Sequence, residues 1–135
     1  MTEPSSDPNH ALRRAVEVAP TRPEDALAIL GDALTRADAT IDPAAAANLA
    51  CHAAVISARL GHFERARDYY RQAASIAPDN ATVHLALGGL LRDLGELEGA
   101  ESEFAKSADL AYQGNDSELF EAADAAREAL RGREP

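Results

Sequence analysis

Sulfur, aromatic rings and positive charge are all scarce in this chain. Of its 135 residues one is cysteine (Cys51), one is methionine and none is tryptophan, and 13 Lys and Arg stand against 23 Asp and Glu. A single cysteine excludes an intramolecular disulfide framework, and the four histidines are scattered without Cys partners at zinc-site spacing. A reducing compartment is the natural reading. The net charge of −10 argues against a nucleic-acid or anionic-membrane surface, because either needs a basic face to displace counterions. Long apolar runs are missing too. No stretch approaches the roughly 20 residues needed to span a bilayer, and Met1 to Asp7 is polar and rich in Pro and Ser, unlike a signal peptide. The chain is therefore expected to be cytoplasmic, without nucleic acid or membrane as partner. Asn80-Ala81-Thr82 and Asn115-Asp116-Ser117 match the glycosylation sequon, but with no secretory signal they are expected to be helix-entry loops.

What the chain does have is alanine and a repeat. Residues 47–80 and 81–114 superpose without a gap at a period of 34. Gly61 falls on Gly95, Ala66 on Ala100, Tyr70 on Phe104, Ala74 on Ala108, Leu60 on Leu94, Ile56 on Leu90 and Glu64 on Glu98. Each unit divides at its glycine into two helix-length stretches whose small or apolar residues recur at three- and four-residue spacing, as in Ala50, Ala53, Ala54 and Ser57 before the turn and Ala66, Tyr70, Ala73 and Ala74 after it. The unit is a helical hairpin. Gly61 and Gly95 stand where a helix needs a left-handed residue to reverse the chain, Pro78 closes the second helix of the first unit, and Asp79 or Asn80 is placed to cap the next.

The flanks supply further helices. Asp7-Pro8 opens one that ends before Pro20, and Thr21 with Glu24 is a capping-box pattern opening another, which carries Ala26, Leu30, Ala33 and Leu34. Ala26 to Ala66 is 40 residues rather than 34, so six extra residues fall around Ala39 to Asp42. The simplest register of this first, degenerate unit puts Arg13 and Arg14 at interior positions. After Gly114, Asn115 to Leu130 forms one more amphipathic helix, with Leu119, Ala122, Ala123, Ala126 and Leu130 on one side.

At these residues the sequence resembles the tetratricopeptide repeat family. The family's small, Gly, Ala, aromatic, Ala and Pro positions read Ala54, Gly61, Ala66, Tyr70, Ala73 and Pro78 in the first full unit. In the second they read Gly88, Gly95, Ala100, Phe104 and Ser107, with Tyr112 replacing the proline. The aromatic usual at the fourth position is absent from both, Ala50 and His84 standing there. The resemblance implies an all-α, right-handed superhelical solenoid of about three hairpins and a C-terminal capping helix. The expected organisation is a disordered tail over 1–7, then one domain over 8–131, then a tail over 132–135. That domain comprises a degenerate repeat (8–46), repeats at 47–80 and 81–114, and a capping helix at 115–131. One hairpin cannot bury its own apolar faces, so stability is expected from stacking.

No catalytic motif is visible, and no enzymatic activity, cofactor or metal is expected. Cys51 and His52 are neighbours in sequence, so on a helix they point about 100° apart and do not make a nucleophile and base. His52 and His84 lie on first helices of successive repeats with no carboxylate or third histidine in register, and read as helix-packing residues. Gly88-Gly89 lies inside a helix where the repeat wants small residues and is not a phosphate cradle.

Binding is what the resemblance implies. The family's concave-face positions fall here on Asn48, Cys51, Val55, Ala58 and Arg59 in one repeat, and on Thr82, Leu85, Gly89, Arg92 and Asp93 in the next. Val55 and Leu85 would supply apolar contact and the two arginines would hold a carboxylate. The clamp by which chaperone-tail binders of this family grip a terminal carboxylate is absent: its positions carry His52, Thr82 and Ala86, with Ala11 and Ala15 in the first unit. Acid collects at the C-terminal end, residues 93–135 holding 12 acidic and four basic side chains. The function expected is a non-catalytic adaptor that holds a peptide or helix of another protein on its concave face. The alternative is a self-assembling unit that forms homo-oligomers through its terminal helices.

Overall fold

The computed structural model describes residues 8–37 and 42–132, and all the regular structure in them is helical. The expected cap Asp7, the tails at 1–7 and 133–135, and all of the expected insertion but Asp42 lie outside the described residues. Seven helices run in the order α1 (Pro8–Val18), α2 (Pro23–Arg36), α3 (Pro43–Arg59), α4 (Phe63–Ile76), α5 (Ala81–Asp93), α6 (Leu97–Gln113) and α7 (Ser117–Arg131). Among the described residues no helix is long and apolar enough to cross a membrane. The chain divides into two compact units between Ala77 and Pro78, the first built on α1 to α4 and the second on α5 to α7.

In the first unit α3 is rich in alanine, eight of its 17 residues, and alanine has the least side-chain entropy to lose on helix formation. Asp42 caps it, accepting a hydrogen bond from the Ala45 amide at 3.1 Å, and Pro43 presets its first turn. So many small side chains let neighbours approach closely. Ala46, Ala47, Ala50, Ala53 and Ala54 are all buried, as are Ala66, Tyr70 and Ala73 on α4. On its other side α3 joins α1 and α2 in a cluster of Ala15, Ala26, Leu27, Leu30, Leu49, Ala53 and Ile56.

The first helix lies in a different register from the simplest one. Ala15 is buried while Arg13 and Arg14 are exposed, because Ala11, Leu12, Ala15 and Val18 form the three- and four-residue stripe that faces the cluster. The capping box expected at Thr21 does not form either. Pro23 fixes the first turn of α2, which makes Arg22 the N-cap residue and leaves Thr21 outside the helix, its hydroxyl donating to the Val18 carbonyl at 3.4 Å.

Three helix ends close on one device. In each, the amides of two successive residues reach back to the last turn: Gly61 to Ala58 and His62 to Ser57, Gly95 to Arg92 and Glu96 to Leu91, Asn115 to Tyr112 and Asp116 to Ala111. These are the paired bonds of a Schellman cap, whose hinge residue needs positive φ. The values are 82° at Gly61, 81° at Gly95 and 58° at Asn115. Gly114, expected to lie in the loop that ends α6, keeps φ at −86° as its C-cap and hands the left-handed position to Asn115.

In the second unit Asn80 caps α5, accepting from the Val83 amide at 3.2 Å, and Asp116 caps α7, accepting from the Leu119 amide at 3.0 Å. Both sequons thus sit at helix entries. Phe104 is the largest buried side chain of the unit, and a Cβ placed on Gly88 would stand 2.6 Å from its ring, so the ring occupies the space that the missing side chain leaves. Polar groups inside are matched: the buried Ser107 hydroxyl donates to the Ala81 carbonyl at 2.8 Å. Arg127 of α7 meets Glu101 of α6 at 2.7 Å, which holds the Arg127 guanidinium above its ordinary pKa through the hydrogen bond and the charge of Glu101. Ala123 and Leu130 seal the inner side of α7.

Candidate functional site

The exposed side of α3 carries the residues the repeat pattern singles out. Asn48, Cys51, Val55 and Arg59 follow at three- and four-residue steps, which places them along one stripe. Asn48, Val55 and Arg59 are exposed and Cys51 is half-buried. Cys51, Val55 and Arg59 come together with Ala15, Val16, Ala19, Pro20, Leu30, His52 and Ile56 in a groove of about 540 Å³ formed by α1, its exit, α2 and α3. Asn48 lies outside it and contributes through its backbone: the His52 Nδ1–H donates to the Asn48 carbonyl at 2.9 Å, which fixes the imidazole in the groove wall. Arg59 stands at the end of α3, where a helix C-terminus favours a cation, and makes no ion pair among the described residues.

The groove is apolar and chemically quiet. Burial pushes the Cys51 thiol above its ordinary value, so the sulfur stays protonated and behaves as a small apolar surface rather than a nucleophile. Burial also raises the Tyr70 phenol, with a smaller push from Cys51. Among the described residues no group of three His, Cys, Asp or Glu side chains could hold a metal ion.

Of the ten residues lining the groove, the repeat register marked Cys51, Val55 and Arg59 for binding. Val16, Ala19, Pro20 and Leu30 belong to the degenerate first repeat, where the mis-set register had put arginines inward. The signal was the Ala11, Ala15, Val18 spacing, which leaves Val16 on the outer side of α1, where it is 54% exposed.

Within the second unit Thr82, Leu85, Gly89 and Arg92 make the corresponding stripe on α5. Thr82 is exposed, and Leu85, Gly89 and Arg92 are half-buried. A side chain at Gly89 would meet nothing but the Arg92 guanidinium at 3.9 Å. Arg92 already has a carboxylate beside it, its Nε lying 3.3 Å from Asp93.

His84 does find the carboxylate that sequence register had denied it. Hairpin closure brings Glu103 of α6 against it, with Nδ1 2.6 Å from the Glu103 carboxylate and Nε2 2.7 Å from the Pro78 carbonyl. A carbonyl only accepts, so Nε2 carries hydrogen and a single proton lies between Nδ1 and Glu103. The ring is 6% exposed, where repeats of this pattern usually place an aromatic side chain. Its two bonds tie α5 to α6 and to the start of the unit, a structural role.

The comparisons agree with this architecture. The tetratricopeptide repeat model matches residues 58–123. Among solved structures, PcrH from Pseudomonas aeruginosa is 20% identical and superposes with a TM-score of 0.77 over 96% of each chain. The Yersinia enterocolitica type III secretion chaperone SycD, solved with a peptide of the translocator YopD, is 17% identical with a TM-score of 0.78 over 96% of each chain. The Sgt2 TPR domain from Aspergillus fumigatus is 21% identical with a TM-score of 0.68, over 98% of this chain and 87% of that one. At these identities the likeness establishes a common fold. No curated protein matches the chain.

Proposed function

We propose that this chain, whose residues 58–123 match the tetratricopeptide repeat model, is a non-catalytic protein-binding module that holds a peptide or helical segment of another protein. The observation that carries the proposal is the groove over α3. Its wall is almost wholly aliphatic, its one thiol is neutral, and its one cation, Arg59, stands at the end with no carboxylate partner among the described residues. Such a groove suits a segment that presents an apolar side chain to Val55 and a carboxylate to Arg59. We assign a contact role to Asn48 and, in the second unit, to Thr82, Leu85, Gly89 and Arg92. Proteins of this fold hold partner segments: PcrH has been solved with the chaperone binding regions of PopD and of PopB, and SycD with a YopD peptide. A cytoplasmic location belongs to the same proposal.

The test has three steps. Affinity capture from the native lysate names the partner, a peptide array of that partner names the segment, and calorimetry titrates the synthetic segment into wild type and variants. Val55→Glu is expected to abolish binding and Arg59→Glu to weaken it about tenfold, with helicity unchanged. Full affinity in both variants would remove the groove from the account. Recovery of nothing but further copies of this chain, with a mass that rises with concentration in sedimentation, would put self-assembly in its place; SycD has been crystallised as an alternative dimer.

A further inference from the structure

The corner where α6 turns into α7 carries a second surface of different chemistry. Asn115, in its left-handed conformation, folds the first turn of α7 back beside the last turn of α6. That reversal sets Tyr112 and Phe120 in a tilted pair, with ring centroids 5.9 Å apart and planes inclined at 56°. Tyr112 is 73% exposed, the most exposed of the large hydrophobic side chains among the described residues. The two rings flank a notch of about 580 Å³ whose lining holds one charged side chain, Asp116, and no cation.

Carboxylates predominate around the rings. Asp116, Phe120 and Asp124 are spaced by four along α7, so a carboxylate lies one turn to either side of the Phe120 ring. On α6, Asp109 stands three residues before Tyr112, on the same side of the helix. The nearby cation Arg127 is engaged by Glu101. Residues 78–135 carry 13 acidic against five basic side chains. Exposed rings attract cations through their π faces, and carboxylates beside them strengthen the attraction.

We propose that this notch is a second docking site, for a basic peptide segment that lays an arginine guanidinium against Tyr112 and Phe120 while the aspartates receive its N–H groups. Arginine fits better than lysine, because a planar guanidinium stacks on a ring and still presents donors at its edge. A second copy of this chain is disfavoured as the occupant by its own charge of −10.

The experiment uses the full chain and three fluorescent peptides of alternating leucine and arginine, leucine and lysine, or leucine and glutamate, followed by anisotropy at physiological salt. The arginine peptide is expected to bind more tightly than the lysine peptide, and the glutamate peptide not at all. Tyr112→Ser should weaken arginine-peptide binding about tenfold and Tyr112→Phe should restore it. Asp116→Asn, which keeps the helix cap, should weaken it less. Circular dichroism confirms that each variant is folded, and Val55→Glu, which acts on the other groove, should leave binding unchanged. Equal binding of the arginine and lysine peptides with no effect of Tyr112→Ser would reduce the attraction to bulk charge and overturn the proposal. So would loss of binding in Val55→Glu alone, or a chain that self-associates in sedimentation and is dissociated by Tyr112→Ser.

Discussion

At one and the same repeat position the α3–α4 hairpin has Ala54 and the α5–α6 hairpin has Gly88, and sixteen residues on the first has Tyr70 where the second has Phe104. Both small residues are buried and both rings are largely withdrawn from solvent, Tyr70 to 8% and Phe104 to 1% exposure. The second hairpin sinks its ring deeper and gives up a methyl group to do so, since a Cβ on Gly88 would meet the Phe104 ring at 2.6 Å. The two hairpins share a backbone plan yet divide the space between their helices differently. A repeat motif thus specifies small against large, while the exact partition belongs to each interface.

The largest effect expected from breaking this arrangement is Phe104→Ala, a loss of about 3 to 5 kcal/mol in denaturant unfolding, because the cavity opens where no methyl at Gly88 can help fill it. Gly88→Ala should cost about 1 to 3 kcal/mol by overpacking, and most of that cost should vanish beside Phe104→Leu. Additive losses in that double variant would show that the two residues do not share the space.

Alkaline pH sharpens the contrast from the other side. Burial raises the Cys51 thiol above 9.0 and the Tyr70 phenol above 10.0, both in the first unit. The unfolded chain then releases these protons first. The stability they contribute is fully present below the ordinary values and is lost as pH rises through the raised ones. Thermal melts carried from neutral pH past 9.0 should show that decline, smaller in Cys51→Ala; an identical decline would remove the thiol from the account.

The smallest effect has the opposite sign. Gly89, next to Gly88 in sequence, faces open space, so Gly89→Ala should stabilise α5 by about 0.5 to 1 kcal/mol through helix propensity alone. A loss comparable to that of Gly88→Ala would mean that both glycines lie at the helix interface.

Much of the fold was legible because its signals are local. The alanine spacing of α3, the turns at Gly61 and Gly95 and a cap at Asp79 or Asn80 each involve residues within a turn or two of one another, where steric and hydrogen-bonding preferences act without help from the rest of the chain. The reading slipped where two local signals competed. Pro23 overrode the Thr21 capping box, and Asn115 took the left-handed position beside a glycine that carries the same preference more strongly. Of the candidate site, Cys51, Val55 and Arg59 could be read from the repeat register. Val16, Ala19 and Pro20 could not, because α1 lies outside the repeat that supplied that register.

The sequence alone determined that this chain makes helices and that the helices pair as hairpins of a known repeat, though α3 starts at Pro43, four residues before the expected start of its repeat. Those outcomes follow from periodicity, caps and left-handed turns. Only the tertiary structure decided that Gly88 packs against a ring and Gly89 does not, that His84 is held by Glu103, and that α1 completes a groove with α3. It also decided that Tyr112 and Phe120 meet across a corner. Each of these depends on side chains brought into van der Waals or hydrogen-bonding range by packing between helices. That range is set by distances of a few ångströms that spacing along the chain does not encode.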